Sequence, residues 1–583
     1  MDEPQSHIYE FDDFRLDAGE RLLLRHGERV ALTPRVLDTL LYLVRHHGRV
    51  LEKNELMSEI WPDAVVEENN LNQNISTLRR LFGESRGEIR YSVTVPGRGY
   101  RFAARVTENA RTSGATHVPA SQTIAVLPFA NISTDPENAY FCEGLAEELL
   151  NALSRIEGIK VAARTSAFAL GGKNASISEI GVALGVKSIL QGSVRRSGNR
   201  LRITAQLVSA SDGYHLWSER YDREMRDIFD VQDEITLAVV NALRVQLLGD
   251  KKDAVLKRFT DSTEAYHLYL KGRYFWFKSA PQEFRKSRDY FQRAVDADPS
   301  YALGYFGLAS FYGFASSWGL MPPEEGWTRM EAATMKALAL DATLAEVHHG
   351  LAALKWVYYR DWSGAEEAFR KAIELNSRIG AIHSHYSIFL SVIGKHDEAV
   401  AAGKRALELD PLSIRIHRNQ AARFYHARRY EEAVRQFGEA LELDPNDASL
   451  HEEIGDVYEQ LGLHQEAVAE WTKAMTLAGD DELAGILGEI YSESGFAAAV
   501  QAVARKRIER LNERVKQGEY VPAAHFARAY LRSGETEQAL RRLEEAQAER
   551  NAYPLLMKSD PFYDGLRAHP RFAAILKTMN LPE

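Results

Sequence analysis

The sequence predicts a multidomain chain with three architectures laid end to end: an α+β head built on a helix-turn-helix and a hairpin, an α/β domain, and an all-α solenoid. Three observations predict it. A polar-faced helix stands beside a glycine-tipped hairpin between Val66 and Val106, strands alternate with helices from Thr123 to about residue 250, and from Ser262 a pattern returns every 34 residues. The 583 residues are 45% apolar, enough to give each part its own core. The expected boundaries are a head over 1–106, a linker over 107–122, a middle domain over 123–250 and the repeats over 262–583.

The head opens with short alternating strands: Tyr9-Glu10-Phe11, Phe14-Arg15-Leu16, Leu22 to Leu24 and Val30 to Leu32. Thr33-Pro34 then offers an N-cap and a first-turn proline, and Val36, Leu37, Leu40, Leu41 and Val44 make an apolar stripe that stops at Gly48. A second helix is expected from Lys53 to Trp61, ended by Pro62-Asp63. In the third, Leu71, Ile75, Leu78 and Phe82 fall on one stripe, and Asn70, Gln73, Asn74, Thr77 and Arg80 face away from it. Amides, a hydroxyl and a guanidinium are the groups that pair with adenine or guanine edges, whereas a purely solvated helix would carry more Glu and Lys. Tyr91 to Val95 alternates, turns through Pro96-Gly97-Arg98-Gly99 and returns as Tyr100 to Val106, a hairpin with an arginine at its tip. Flanking glycines let that backbone come close to a partner, and the guanidinium suits a phosphate or a narrow minor groove. The hairpin reads as a wing.

As a set, Leu71, Ile75, Leu78-Arg79-Arg80-Leu81 and Val95-Pro96-Gly97-Arg98-Gly99-Tyr100-Arg101-Phe102 resemble the third helix and C-terminal hairpin of the OmpR/PhoB-type winged-helix domain. The version is that of CadC-like and ToxR-like regulators, and the resemblance runs from about Tyr9 to Val106. It implies double-stranded DNA as partner, with the last helix in the major groove and the earlier ones bracing it. Asn70, Gln73, Asn74 and Thr77 are then base-contact candidates, Arg80 reads a base or a phosphate, Arg79 and Arg98 hold the backbone, and Arg101 completes the set.

The net charge of −10 does not by itself mark a nucleic-acid binder. From Asn69 to Val106, however, seven arginines face two glutamates, a local +5, so the electrostatic footprint is confined to this patch. No run of 18 apolar residues occurs, the first residues do not resemble a signal peptide, and one cysteine, Cys142, excludes a disulfide framework. The expectation is a cytoplasmic protein without a membrane span, unlike CadC and ToxR themselves. No phosphoacceptor domain precedes the head, so control independent of a phosphorelay is expected.

In the middle domain Ile124 to Phe129 and Ile159 to Ala162 read as strands, Glu143 to Leu153 and Ile177 to Leu184 as helices, and Ser188 to Val194, Leu201 to Val208 and His215 to Tyr221 as antiparallel strands before a long helix from Ile228 to Leu248. Ile124 to Asn131, Tyr140-Phe141, Gly192-Ser193-Val194-Arg195, Leu216 to Arg223 and Asp233-Glu234-Ile235 resemble a module similar to the N-terminal domain of TolB, also seen beside class III adenylate cyclases. The resemblance implies a coupling or ligand-responsive domain with room for a small-molecule effector. Catalysis is not expected. Gly171-Gly172-Lys173-Asn174 lacks the spacing of a phosphate loop, Cys142 with Glu143, Glu147 and Glu148 lacks a histidine at helical spacing, and Trp217 to Arg220 reads as strand packing with a surface ion pair.

Leu409-Asp410-Pro411, Leu443-Asp444-Pro445 and Leu477-Ala478-Gly479 recur at the 34-residue interval that marks tetratricopeptide repeats. Ala399, Ala433 and Ala467 align, as do Phe369, Phe437 and Trp471, and Ala372, Ala406, Ala440 and Ala474. Ser316 to Glu325 stretches an early unit, and Asp560 to Leu581 is expected as a capping helix. Seven or eight pairs should form a curved solenoid whose concave face takes a protein or peptide. The aromatic-rich segments Tyr266 to Phe277 and Trp356 to Trp362 fit repeat core better than a ligand groove. His348-His349 and His383-Ser384-His385 point apart on a helix, and His451-Glu452-Glu453-Ile454-Gly455 lacks the second histidine of a zinc protease, so no metal is expected.

The combined expectation is a bacterial transcriptional regulator that is not an enzyme and has no catalytic, metal or cofactor residues. It binds promoter DNA through the winged helix, responds to a partner or ligand on the other domains, and can work as a homodimer. The alternative is a scaffold whose head no longer binds DNA.

Overall fold

A computed structural model describes residues 7–18, 22–25, 28–30, 32, 34–60, 68–82, 91–95, 98–110, 122–133, 135, 138–156, 158–171, 175–243, 258–278, 281–317, 319–550 and 553–582. The chain divides into two compact units, Met1–Val118 and Pro119–Glu583.

In the first unit the strands β1 (His7–Phe11), β2 (Phe14–Asp17), β3 (Leu22–Arg25) and β4 (Glu28–Val30) precede α1 (Pro34–Arg45), β5 (Val50–Glu52), α2 (Lys53–Ile60) and α3 (Glu68–Leu81). Then follow β6 (Ser92–Val95), β7 (Gly99–Phe102) and β8 (Thr107–Ala110). The return strand of the wing thus ends at Phe102, and the stretch expected to begin the linker at residue 107 is a strand. β8 pairs antiparallel with β1, Tyr9 opposite Glu108, and extends the N-terminal sheet to the order β4-β3-β2-β1-β8. Thr107 to Ala110 is too polar to announce a strand; the free edge of β1 supplies its pairing. The rest of the expected linker, residues 111–121, lies outside the described residues, as do Thr33, Trp61, Pro62 and Asp63.

The stripe expected in α3 is the stripe that is buried, with Leu71 and Leu78 fully covered, Ile75 at 2% and Phe82 at 7% exposure. They meet the α1 residues Leu40, Leu41 and Val44 in one core with Phe11, Phe14, Tyr91 and Phe102. Across that core Phe82 lies edge-on to Phe14 at 5.0 Å between ring centroids.

In the second unit, β9 (Gln122–Val126), β11 (Ile159–Val161) and β12 (Ser188–Ser197) run parallel in the order β11-β9-β12, and β13 (Arg200–Ser209) and β14 (His215–Glu224) continue antiparallel. The short β10 (Ala130–Asn131) also pairs with β12. Helices α4 (Ala139–Ser154) and α7 (Ile228–Ala242) pack together on the sheet. A separate small core is built from α5 (Arg164–Gly171) and α6 (Ile177–Leu184) over Ala125, Leu127 and Ile189. Sequence periodicity did not indicate α5, whose only large apolar side chain in mid-helix is Phe168. The expected continuation of α7 through Leu248 lies outside the described residues from 244 onward.

Among the described residues eight helix pairs follow, from Thr263–Trp276 with Pro281–Ala297 to Ala523–Ser533 with Thr536–Ala548. The aligned alanines Ala372, Ala406 and Ala440 are fully buried, and the aromatic rings of Phe369, Phe437 and Trp471 are 5% exposed or less. Phe291 shows why an aromatic and a small residue are paired: a Cβ on either Gly272 or Gly307 would stand 2.5 Å from its ring. The stretched unit absorbs its extra residues in longer helices, Ala302–Ser317 and Pro323–Leu340.

Two expectations change here. The middle domain and the repeats fall in one unit, in which a single core joins residues between Ile124 and Ala399 to residues between Ala527 and Met579, while the repeats from Val400 to Val503 form two further cores. α4 lies on helix Thr263–Trp276 closely enough that a Cβ on Gly144 would meet Leu270 at 2.6 Å, and Ser166 donates its hydroxyl to buried Asp410 at 2.6 Å. The expected capping helix over Asp560 to Leu581 is split into a 3₁₀ turn Pro561–Leu566 and a helix Pro570–Thr578, and a further 3₁₀ turn, Tyr553–Leu556, precedes it. This C-terminal region also reaches back past its neighbours: Asp564 pairs with Arg428 at 2.7 Å, Arg550 donates to the Tyr358 carbonyl, and Leu555 and Met557 are fully buried.

Candidate nucleic-acid interface

At about 100° per residue, burying Leu71, Ile75 and Leu78 turns the middle of the opposite face of α3 toward Gln73, Ser76, Thr77 and Arg80. Asn70, Gln73, Ser76 and Arg80 are exposed there, and Thr77 is half-buried. Asn74 and Arg79 stand on the two shoulders of that face, where neighbouring elements take them. The Asn74 amide donates to the Thr39 hydroxyl at 2.9 Å and to the Arg35 carbonyl at 3.2 Å, tying α3 to α1. Arg79 donates to the Thr94 hydroxyl on β6 at 2.7 Å.

A second bond ties the wing to the helix: the Tyr100 hydroxyl donates to Asn72 Oδ1 at 2.6 Å. Asn72 had no signal in the sequence, since an amide that accepts from a tyrosine looks like one that waits for a base. With β7 central in the three-stranded sheet β5-β7-β6, alternation buries Tyr100 and Phe102 and exposes Arg101. Gly99 is needed by the fold itself: a Cβ there would stand 1.9 Å from the Leu51 carbonyl oxygen on β5. Arg98 is exposed, and its N–H closes the turn onto the Val95 carbonyl at 3.0 Å. The wing-tip Pro96 and Gly97, and Arg86 and Arg90 of the basic patch, lie outside the described residues.

Of the eight candidates, Asn70, Gln73, Thr77 and Arg80 therefore share the outward helix face. Arg98 and Arg101 lie on the hairpin, and Asn74 and Arg79 brace the two against each other and against α1. Two braces between α3 and the hairpin make helix and wing a preorganised surface.

The other motifs of the sequence resolve into structure. Cys142 is 1% exposed, and burial pushes its thiol up to about 12. Glu143 and Glu147 hold Arg164 at 3.3 and 3.0 Å. His348, His383, His417 and His451 each direct Nε2 to the carbonyl six residues earlier, at 2.9, 2.9, 2.7 and 3.1 Å, fastening the turn between repeats. Arg220 pairs with Asp222 at 3.5 Å on the surface of β14. Of Gly171-Gly172-Lys173-Asn174, only Gly171 is among the described residues. No group of three or more His, Cys, Asp or Glu among the described residues is placed to hold a metal, and no described helix is long and apolar enough to cross a membrane.

The family "Transcriptional regulatory protein, C terminal" matches residues 27–102, and a TPR repeat family matches 422–462. The putative adenylate cyclase 3 of Rhizobium meliloti is 37% identical over 257 residues, which is 44% of this chain and 44% of that protein. The chain thus spans less than half the length of that relative. The transcriptional regulator HilA of Salmonella typhimurium is 24% identical over 393 residues, 67% of this chain and 68% of its own. The transcriptional activator CadC of Escherichia coli is 34% identical over 83 residues, 14% of this chain and 16% of its own. The solved DNA binding domain of that CadC is 28% identical, covering 18% of this chain and 97% of the domain with a TM-score of 0.16. The N-terminal unit carries an OmpR/PhoB-type winged helix, and the C-terminal region is built of tetratricopeptide repeats.

Proposed function

We propose that this chain, with an OmpR/PhoB-type winged helix at its N-terminus and relatives that are transcriptional regulators, regulates transcription by binding promoter DNA. The observation that carries the reading is the polar face of α3, left open while its two shoulders are fastened to α1 and the wing. In this reading α3 enters the major groove, Asn70, Gln73, Thr77 and Arg80 meet base edges, and Arg98 and Arg101 meet phosphates. Asn74 and Arg79 act as positioning residues.

The second unit controls the head, through a protein or peptide bound by the repeats and a small molecule bound by the middle domain. Two heads on tandem half-sites about one helical turn apart gain affinity by effective concentration. The core shared by the middle domain and the first repeats supports joint control, because a change at one reaches the other through packed side chains.

The test is a gel shift of the full chain on promoter fragments recovered by genomic immunoprecipitation. The double variant Gln73→Ala/Arg80→Ala should lose tenfold or more in selective binding, about 1–3 kcal/mol for each bidentate contact removed. If neither protein retains duplex DNA even at low ionic strength, the regulator reading fails and the repeats stand as a scaffold.

A further inference from the structure

The strand order of the middle domain reverses at β9. From β9 the chain passes through α4 to β11 on one side, and from β11 through α5 and α6 to β12 on the other, all three strands running parallel. In open parallel sheets the crevice beyond the carboxyl ends of such strands is a natural ligand site, because the two connections diverge there and leave room. A cavity of about 400 Å³ lies at that place, within the range of about 300–1,000 Å³ usual for small-molecule sites.

Its walls come from both halves of the second unit. Phe129 follows β9, Glu143 belongs to α4, and Arg164 and Phe168 belong to α5, while Phe277 and Lys278 follow the first repeat helix. The Arg164 guanidinium, with 14% of its side chain exposed, lies 4.2 Å from the Phe168 ring and 3.8 Å from the Phe277 ring. Glu143 and Glu147 fix it, and Glu147 is shared with Arg273 behind the cavity. Lys278 differs: its ammonium is exposed, lies 4.2 Å from the Tyr274 ring, and acts on Glu143 through its charge, with no salt bridge to a carboxylate among the described residues. Phe277 is 41% exposed at the mouth, unusual for so large an apolar ring. The charged groups of the lining are thus two cations and one carboxylate, set among aromatic faces.

We propose that this cavity binds a small organic monoanion with a flat apolar body, an aromatic carboxylate in size and charge, as an effector. One net positive charge suits one negative group, and Glu143 would repel a second. Aromatic walls suit a ring in place of a flexible sugar or peptide. Because Phe129 and Arg164 come from the α/β part and Phe277 and Lys278 from the repeats, an occupant ties the two together. The effector role rests on the reading that the second unit controls the head; the binding itself does not.

The test is calorimetry and saturation-transfer NMR on the full chain with benzoate, phenylacetate and cinnamate, against acetate, benzamide and benzamidine. At least one aromatic carboxylate should bind, with acetate and the uncharged or cationic aromatics about tenfold weaker. Lys278→Gln should weaken binding about tenfold and, its side chain being exposed, leave the ligand-free unfolding midpoint in place, and Phe277→Ala, which also removes the ring stacked on Arg164, should weaken binding several-fold. The proposal is overturned if no aromatic carboxylate binds at millimolar concentration, or if binding ignores both substitutions. A gel shift with and without ligand reads the effector role separately: a bound ligand that leaves the shift unmoved sinks that role alone, and absence of any shift sinks the DNA-binding reading alone.

Discussion

Three arginines on the outward face of the helix and wing and a pair in the repeats are arranged on opposite rules. On the head Arg80, Arg98 and Arg101 are exposed and, among the described residues, make no salt bridge. In the repeats, Arg532 lies 2.8 Å from Asp456 and 2.9 Å from Glu459, with its guanidinium 4.6 Å from the Trp471 ring, and only 15% of the side chain is exposed. Arg528 joins Asp456 at 3.1 Å and Asp560 at 3.6 Å. The same side chain is committed to the fold in one region and left to solvent in the other. What differs is whether a carboxylate was built to meet it.

The largest effect should come from breaking a committed arginine. Arg532→Ala leaves Asp456 and Glu459 facing one another with less compensation, and removing one member of a largely buried ion pair costs about 3 kcal/mol. Urea unfolding of the second unit should shift by that amount while selective DNA binding of the folded protein stays unchanged. A matching loss of DNA affinity under native conditions would break the division between the regions.

Acid separates the units next. Burial lowers His267 to about 4 and holds His385 and His426 well below their ordinary range, and His349, 2.6 Å from His385, moves the same way. A histidine neutral in the fold contributes stability that is complete above about pH 6.5 and is lost toward pH 4, at about 1.4 kcal/mol per pH unit for each group. Glu148, pushed up to about 7 by burial and by Glu147, opposes with the reverse sign, protonating in the fold across the same range. Burial raises Glu143, Asp410, Glu453, Glu459, Glu549 and Asp560 as well, and they oppose in the same sense, so the histidine contribution, lost between pH 6.5 and 4.5, is read as the difference between the wild type and a histidine variant. Among the described histidines of the head, His46 shifts in that direction, again by burial and then Arg49. Urea midpoints against pH check this, and His267→Asn should flatten the slope by about one proton.

A smaller effect distinguishes a brace from a reader. Asn74→Ala removes the bonds to Thr39 and Arg35 and should cost the head about 1 kcal/mol, read as a lower unfolding midpoint. Base preference at saturating protein should be unaltered. A changed preference without loss of stability would return Asn74 to the base-reading set.

What the sequence made visible follows from which forces are periodic. The stripe Leu71, Ile75, Leu78, Phe82 and the 34-residue return of Phe437 and Trp471 are legible because burial repeats at the period of the element. β8 was not legible, because its pairing comes from the free edge of β1 and its own residues Thr107 to Ala110 carry no apolar alternation. The return of the C-terminal segment onto Tyr358 and Arg428 depends on the curvature of the whole solenoid, which no local pattern encodes. At the interface, Asn74 and Gln73 are chemically alike, and only the position of Thr39 tells which is spoken for. The turn-fastening histidines did leave a trace: His348, His383, His417 and His451 follow one another at nearly the repeat interval, a register that marks a structural part.

The smallest effect tests the uncommitted arginines one at a time. Arg98, exposed at the end of the wing turn, should hold a phosphate, so it adds attraction for any duplex and no preference among sequences. Arg98→Ala should therefore weaken specific and nonspecific binding by the same factor, and reduce the slope of log K against log salt by about 0.9. Arg80→Ala, on the helix face, should instead lower the ratio of specific to nonspecific binding. If Arg98→Ala narrows that ratio and leaves the salt slope untouched, the wing reads sequence through the minor groove, and the contrast then lies between two readers within the head as much as between the head and the repeats.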